Sequence, residues 1–258
     1  MLEIKHLSSG FSGKTVLEDI SFKVAAPSLV GLVGPNGSGK STLLKAIAGV
    51  QPFKGTVIYS GMPLLSYPRT QRVRVLSYVA QHSDQDIPFT VREVVQLSRD
   101  AARAPFSPVT TEDKHIVDRA LFHSGLEDIA NERLTELSGG QIQRVMVARA
   151  MAQQASVMLL DEPTNHLDLH HQYTLMELLR HLSREHNTVI VLAIHDLALA
   201  ARYCDRLLLI HDRHLVGDGP PSKVLTPATL ANVFGVQGKL STATDGVPLL
   251  HIKRALNS

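Results

Sequence analysis

The sequence contains a single cysteine, Cys204. No internal disulfide is therefore possible, and a cytosolic compartment fits. Long apolar runs are also missing. Stretches such as Val189–Ile194 are the longest of their kind, well short of the ~18 residues that a membrane span needs. The N-terminal MLEIKHLSSGFSGK has no apolar core of signal-peptide length. Any membrane role must then be exercised from the aqueous side, with spans supplied by a partner. No charge dominates either: 26 basic and 24 acidic residues leave a net charge of +2. That balance gives no sign of the basic stripe of a nucleic-acid binder. There is no internal repeat and no low-complexity tract.

What is present is an ordinary globular composition, 44% hydrophobic and 19% charged over 258 residues. That length suits one large α/β domain, or a core with a smaller inserted subdomain. Alternating apolar residues predict antiparallel strands at Leu2–His6 and Ile20–Val24, joined by the turn-rich Ser8–Lys14. Leu29–Val33 reads as a buried strand between Pro27 and Gly34. From Lys40 the spacing becomes helical: Leu43, Leu44, Ile47 and Ala48 share a face, and Gly49 marks the stop.

Residues 84–150 carry helical spacing at Val91–Leu97, Lys114–Ser124 and Ile142–Ala152, and read as a mostly helical insertion. Strand and helix then alternate: Val157–Leu160, His170–His186, Thr188–Ile194, Leu197–Tyr203 and Leu207–Ile210. Such alternation predicts a largely parallel sheet covered on both faces. The expected organisation is one domain. Residues 1–83 and 151–235 form its core, 84–150 a helical subdomain and 236–258 a C-terminal extension, with a terminal strand at Val247–Ile252.

Gly34-Pro35-Asn36-Gly37-Ser38-Gly39-Lys40-Ser41 fits G-x-x-x-x-G-K-[ST] between a strand and a helix. Glycines let the backbone curl so that successive N–H groups face phosphate oxygens, and the helix adds its N-terminal dipole. Lys40 is expected on the β- and γ-phosphates of ATP. Ser41 can ligate Mg²⁺, and Thr42 can add a phosphate contact. Val157-Met158-Leu159-Leu160-Asp161-Glu162 is a buried strand ending in two acids. We assign Asp161 to Mg²⁺ and Glu162 to the attacking water as general base. His195 follows its strand in the same way and can donate to the γ-phosphate.

Leu137-Ser138-Gly139-Gly140-Gln141 adds the motif LSGGQ. With it, the chain resembles the nucleotide-binding subunits of ABC transporters from Leu2 to about Val236. The motifs follow in that family's order: phosphate loop, Gln81, LSGGQ, acidic strand end, Asn165-His166-Leu167-Asp168, His195. The resemblance implies a P-loop ATPase fold and a head-to-tail homodimer with two ATP molecules at its interface. Ser138, Gly139, Gly140 and Gln141 of one copy would close over the γ-phosphate held by the other. It also implies that Gln81 senses Mg²⁺ and the attacking water, that Asp168 communicates across the dimer, and that Phe11 stacks on adenine. Read alone, Ser138 is a helix N-cap and Phe11 a core residue. His166 and His170 are four residues apart, next to His171, and could share a helical face; the reading adopted is an inter-subunit loop with surface histidines, not a metal site.

Within the family, several stretches are similar to the ATPases of iron–siderophore, haem and cobalamin importers. They are Phe89-Thr90-Val91-Arg92-Glu93-Val94-Val95, Ala201-Arg202-Tyr203-Cys204-Asp205-Arg206, the segment Pro220–Pro227, and Val233-Phe234-Gly235-Val236. The resemblance implies docking on a separate permease dimer at the cytoplasmic face of the membrane, fed by an extracytoplasmic binding protein. Iron–siderophore is the first substrate expectation, with haem or cobalamin behind it. An exporter subunit and a soluble non-transport ATPase are the rival readings.

Overall fold

A computed structural model describes residues 1–11, 13–81, 88–101, 103, 107–165 and 167–256. The chain opens with β1 (Leu2–Phe11) and β2 (Lys14–Val24), an antiparallel pair. Both strands are longer than expected, and Ser8–Phe11 is strand rather than turn. The alternation that marks a strand is broken there by register shifts after Ile4, Leu7 and Ser9, and by left-handed backbone at His6 and Asp19. β3 (Ser28–Val33) leads through the glycine loop into α1 (Lys40–Ile47). β4 (Phe53–Tyr59) and β5 (Met62–Pro63) complete a four-stranded sheet of order β2-β1-β4-β5. Next come α2 (Arg69–Val75) and β6 (Leu76–Val79), then three helices: α3 (Val91–Ala101), α4 (Thr111–His123) and α5 (Gly139–Gln153).

The remainder alternates: β7 (Val157–Asp161), α6 (Leu169–Glu185), β8 (Val189–Ala193), α7 (Leu197–Tyr203) and β9 (Arg206–His211). β10 (His214–Gly219) turns back antiparallel on β9. The resulting sheet has the order β10-β9-β3-β8-β7-β6, and its other pairings are parallel. α8 (Pro221–Val224) and α9 (Pro227–Asn232) lead to a hairpin of β11 (Val236–Thr242) and β12 (Pro248–Ala255). The terminal strand expected at Val247–Ile252 is β12. Its partner β11 lacked a strand-like pattern because it buries no side chain fully.

The six-stranded sheet separates two apolar cores. Successive side chains of a strand point to opposite faces. Leu29, Val33, Leu160, Ile190 and Leu192 accordingly join one cluster with Val95, Leu121, Val145 and Met146 of the three helices. Val30, Leu32, Leu159 and Val191 join the other, with Leu43, Leu44 and Ile47 of α1 and Leu2, Ile4 and Leu17 of the antiparallel sheet. β7 and β8 are buried along their whole length, as strands covered on both faces must be. Each such Leu or Ile side chain stabilises the fold by about 1.5–3 kcal/mol.

A buried carboxylate ties α3 to α4. Asp113 is 3% exposed and closes a capping box with Thr110 at the start of α4. Its Oδ1 accepts from Arg99 Nε at 2.9 Å, and its Oδ2 lies 3.4 Å from Arg103 Nη1. Burial opposes its charge, but the Arg99 and Thr110 hydrogen bonds outweigh that and hold its pKa at about 2. A depressed acid contributes stability above its unfolded pKa, and loses it as pH falls from that value through the folded one. Asp113→Asn should therefore cost about 1–3 kcal/mol near neutrality. In urea unfolding, the gap between wild type and variant should shrink as pH drops from about 4 towards 2.

Candidate functional site

The carboxyl ends of β3, β7 and β8 open onto a cavity of about 1370 Å³. The loop Gly34–Ser41, with Thr42, forms one wall. Its glycines are required by geometry. Gly34 has φ +152°, and a Cβ there would lie 2.2 Å from the Ile210 carbonyl oxygen. Gly39 has φ +105°, and a Cβ would meet Leu17 Cδ2 at 2.7 Å. Helices α4, α5 and α6 each have a side chain capping the N-terminus, but α1, which starts at Lys40, has none. Its first-turn N–H groups are left facing the cavity, a fit for an anion. Ser38 Oγ is buried in the same loop without a partner among the described residues, a second polar group available to a ligand.

Lys40 is 4% exposed, and its Nζ donates to the carbonyls of Gly34 at 2.9 Å and Pro35 at 3.1 Å. Burial lowers its pKa, and the negative charges of Glu162 and Asp161 push the other way. Ser41 Oγ donates to Asp161 Oδ1 at 2.8 Å. Asp161 ends β7, 1% exposed. Burial raises its carboxyl above the usual range; the Ser41 bond offsets part of this, and Glu162 adds to it. Ser41 and Asp161 thus place two hard oxygen donors side by side, a set suited to Mg²⁺.

Glu162 turns away from its neighbour. Its backbone is left-handed, with φ 55°, which costs a non-glycine residue about 1–3 kcal/mol. The turn sends Asp161 to Ser41 and Glu162 into the cavity, where three side chains meet its carboxylate. Gln81 Nε2 donates to Oε2 at 2.5 Å, Asn165 Nδ2 donates to the same oxygen, and His195 Nε2 bonds Oε1. Gln81 therefore sits on Glu162 rather than on Asp161.

Phe11 lines the cavity and is 60% exposed, so it is not a core residue; its ring is free for stacking. Ser138, Gly139, Gly140 and Gln141 do not line this cavity. Ser138 caps α5 and forms a capping box with Gln141. Asp168 is likewise outside the cavity and caps α6, accepting from His171 N at 2.9 Å. His171 Nδ1 also lies 2.7 Å from Asp168 Oδ1. His170 stacks edge-on against His171, while His166 lies outside the described residues. Among the described residues no cluster of three metal-ligating side chains is assembled.

Sequence reasoning gave no role to several residues that line the cavity or stand beside Asp161. Asn165 follows Glu162 by three residues, and a tight turn brings it back: its N–H donates to the Glu162 carbonyl at 3.2 Å. Tyr78 is on β6, a strand the sequence pattern did not reveal, and its hydroxyl is 3.5 Å from Asp161 Oδ2. Burial and the Asp161 charge raise the Tyr78 pKa, keeping it a neutral donor. Lys14, Arg213, Val233 and Phe234 reach the cavity from distant segments. No local motif marks Lys14 and Arg213, and the family-like stretch that holds Val233 and Phe234 gave no sign of the cavity.

Comparison with known proteins is consistent with this geometry. A family model described as ABC transporter matches residues 17–165, more than half of the chain. A cobalamin import ATP-binding protein of Halobacterium salinarum is 40% identical over 245 residues, covering 95% of this chain and 61% of the relative. The chain therefore spans less than two thirds of that relative's length. An achromobactin transport ATP-binding protein of Dickeya dadantii is 35% identical over 92% of this chain and 88% of the relative. A hemin import ATP-binding protein of Rhodopseudomonas palustris is 38% identical over 91% of this chain and 90% of the relative. Among solved structures, the dimeric cassette MJ0796, in a post-hydrolysis state with ADP and Pi, superposes with a TM-score of 0.76 at 26% identity. It covers 86% of this chain and 99% of that one. With the glycine loop, the acidic strand end and the Glu162 contacts brought to the same end of the sheet, this chain belongs to the ABC transporter family.

Proposed function

We propose that the chain is the ATPase subunit of an importer, energising uptake of an iron–siderophore complex through a separate permease. The observation that carries the catalytic reading is the Glu162 carboxylate, held by Gln81, Asn165 and His195 across the cavity from Lys40. Glu162 takes the proton of the attacking water as that water attacks the γ-phosphorus and the bond to the β-phosphate oxygen breaks. His195 and Gln81 orient this carboxylate, and His195 also serves the γ-phosphate. Lys40 and the N-terminus of α1 balance the phosphate charge. Ser41 and Asp161 are the residues that would hold Mg²⁺, which would neutralise phosphate charge when bound; Gln81, expected with them, bonds Glu162 instead.

The site is half of a pair. Ser138–Gln141 stand away from their own cavity at the start of α5, where N–H groups and a hydroxyl favour an anion. In a head-to-tail homodimer they cover the γ-phosphate of the other copy, and Asp168 faces the same interface. Residues 84–150 then act as the helical subdomain that links this lid to the permease, 1–83 and 151–235 as the nucleotide-binding core, and 236–258 as the extension. The assembly sits at the cytoplasmic face of the membrane, with a permease dimer and an extracytoplasmic binding protein. The described residues contain no helix long and apolar enough to cross a membrane. Cobalamin is the second reading, favoured by the 40% identity to a cobalamin import protein.

Glu162→Gln should retain ATP binding, lose most hydrolysis and accumulate as an ATP-bound dimer. Steady-state turnover and light scattering check this; near-normal turnover removes Glu162 from the base role, and monomers at saturating ATP remove the dimer. Lys40→Ala should weaken ATP affinity by about tenfold or more, since a charge-assisted contact is lost. Fluorescent-nucleotide titration measures it, and an unchanged affinity rejects the assignment. Affinity purification from membranes should recover a multi-span permease. Vesicles of that complex should take up ferric siderophore with ATP; uptake of cobalamin alone selects the second reading, and recovery of ribosomes rejects both.

A further inference from the structure

A second cavity, of about 430 Å³, lies at the other end of the parallel strands. Ala26, Ser156 and Thr188 line it and precede β3, β7 and β8, whereas Gly34, Glu162 and His195 follow those strands. Among the described residues the two cavities share no lining side chain. The volume falls within the roughly 300–1,000 Å³ of small-molecule sites.

Its lining is mixed, with an apolar floor beside the polar Gln154, Ser156, Asn187 and Thr188. Ala120, Met158 and Leu182 are buried, and Ile116 and Met151 are half-buried. Its edge is basic. Arg119, His123 and His186 line it and are exposed, and His181 stands beside His123 with ring centroids 6.4 Å apart. No Asp or Glu is among the described residues that line it. None of these four basic side chains enters an ion pair with another described residue. Nor is Arg119 occupied with the end of α4. The carbonyls of Ser124 and Gly125 there accept from Arg144, at 3.4 and 3.2 Å. Burial, and then the positive neighbours Arg119, His181 and His186, disfavour a charged His123. A cluster of basic groups without a counter-charge, above an apolar floor, is complementary to an anion with an apolar body.

We propose that this cavity binds a small carboxylate carrying an aliphatic or aromatic body. The carboxylate pairs with Arg119, whose planar fork suits it, and accepts imidazole N–H hydrogen bonds from His123 and His186. The body covers Met151, Met158 and Leu182. Such a ligand touches the far ends of α5 and α6, the two helices capped by Ser138 and Asp168. The site is independent of nucleotide.

Calorimetric titration of the full-length protein with sodium octanoate tests this. Saturable one-to-one binding is expected, unchanged by saturating ATP, with affinity at least tenfold lower in Arg119→Ala and intermediate in Arg119→Lys. Imidazole proton resonances of His123 and His186, assigned with His123→Gln and His186→Gln, should shift along the same isotherm. Octylammonium, with the same chain and the opposite charge, should bind at least tenfold more weakly than octanoate. Absence of saturation, equal affinity for octylammonium, displacement by ATP, or an Arg119→Ala variant that is folded by circular dichroism and binds as wild type would each overturn the proposal.

Discussion

Everything in the candidate site depends on the register of three parallel strands. Asp161 at the end of β7 stands opposite Ala193 of β8, and Ala193 stands opposite Leu32 of β3. The three strands therefore end within about one residue of a common level, and the Ile194 N–H donates to the Leu32 carbonyl at 3.1 Å to hold that level. Gly34, Glu162 and His195 emerge together because of it. A slip of one residue would reverse every side chain of a strand between the two cores, so burial on both faces enforces the alignment. The cores are thus the precision element of the chemistry as well as the source of stability.

At this shared rim the charges are arranged by local geometry. Two adjacent acids would repel one another if both faced one ligand set. The left-handed backbone at Glu162 separates them, giving Asp161 to Ser41 and Glu162 to Gln81, Asn165 and His195. Lys40 of the glycine loop is buried, which lowers its pKa, while both carboxylates oppose that shift. Preorganised partners of this kind are fixed before substrate arrives, which is where electrostatic stabilisation gains its strength.

The parts of this arrangement legible in the sequence were those with a local signature. The glycine loop, the apolar strand ending in Asp161-Glu162, and the strand before His195 each place a residue by its immediate neighbours. β7 and β8 matched their expected positions because a fully buried strand is a short apolar run with clear ends. β1 was cut short in the reading because its bulges break the period of two. β6 and β11 were missed: the first is four residues long, and the second is only half-buried. Arg213 and Phe234 reach the cavity, and Tyr78 reaches Asp161, through tertiary packing, for which no spacing rule exists. Gln81, Ser138 and Asp168 came from resemblance alone, and the structure shows why. Gln81 meets Glu162 across 81 residues of sequence, and the helix caps Ser138 and Asp168 do not line the cavity of their own chain.

The lone thiol has a consequence of a different kind. Cys204 is buried beneath Gly31 in β3, so close that a Cβ on Gly31 would lie 2.9 Å from its sulfur. Burial also raises its pKa, keeping it a protonated thiol. The native protein is in effect cysteine-free towards maleimides and mild oxidants. A cysteine introduced at an exposed position can carry a spectroscopic probe without first removing Cys204, and labelling of Cys204 itself would report opening of the β3–α7 packing.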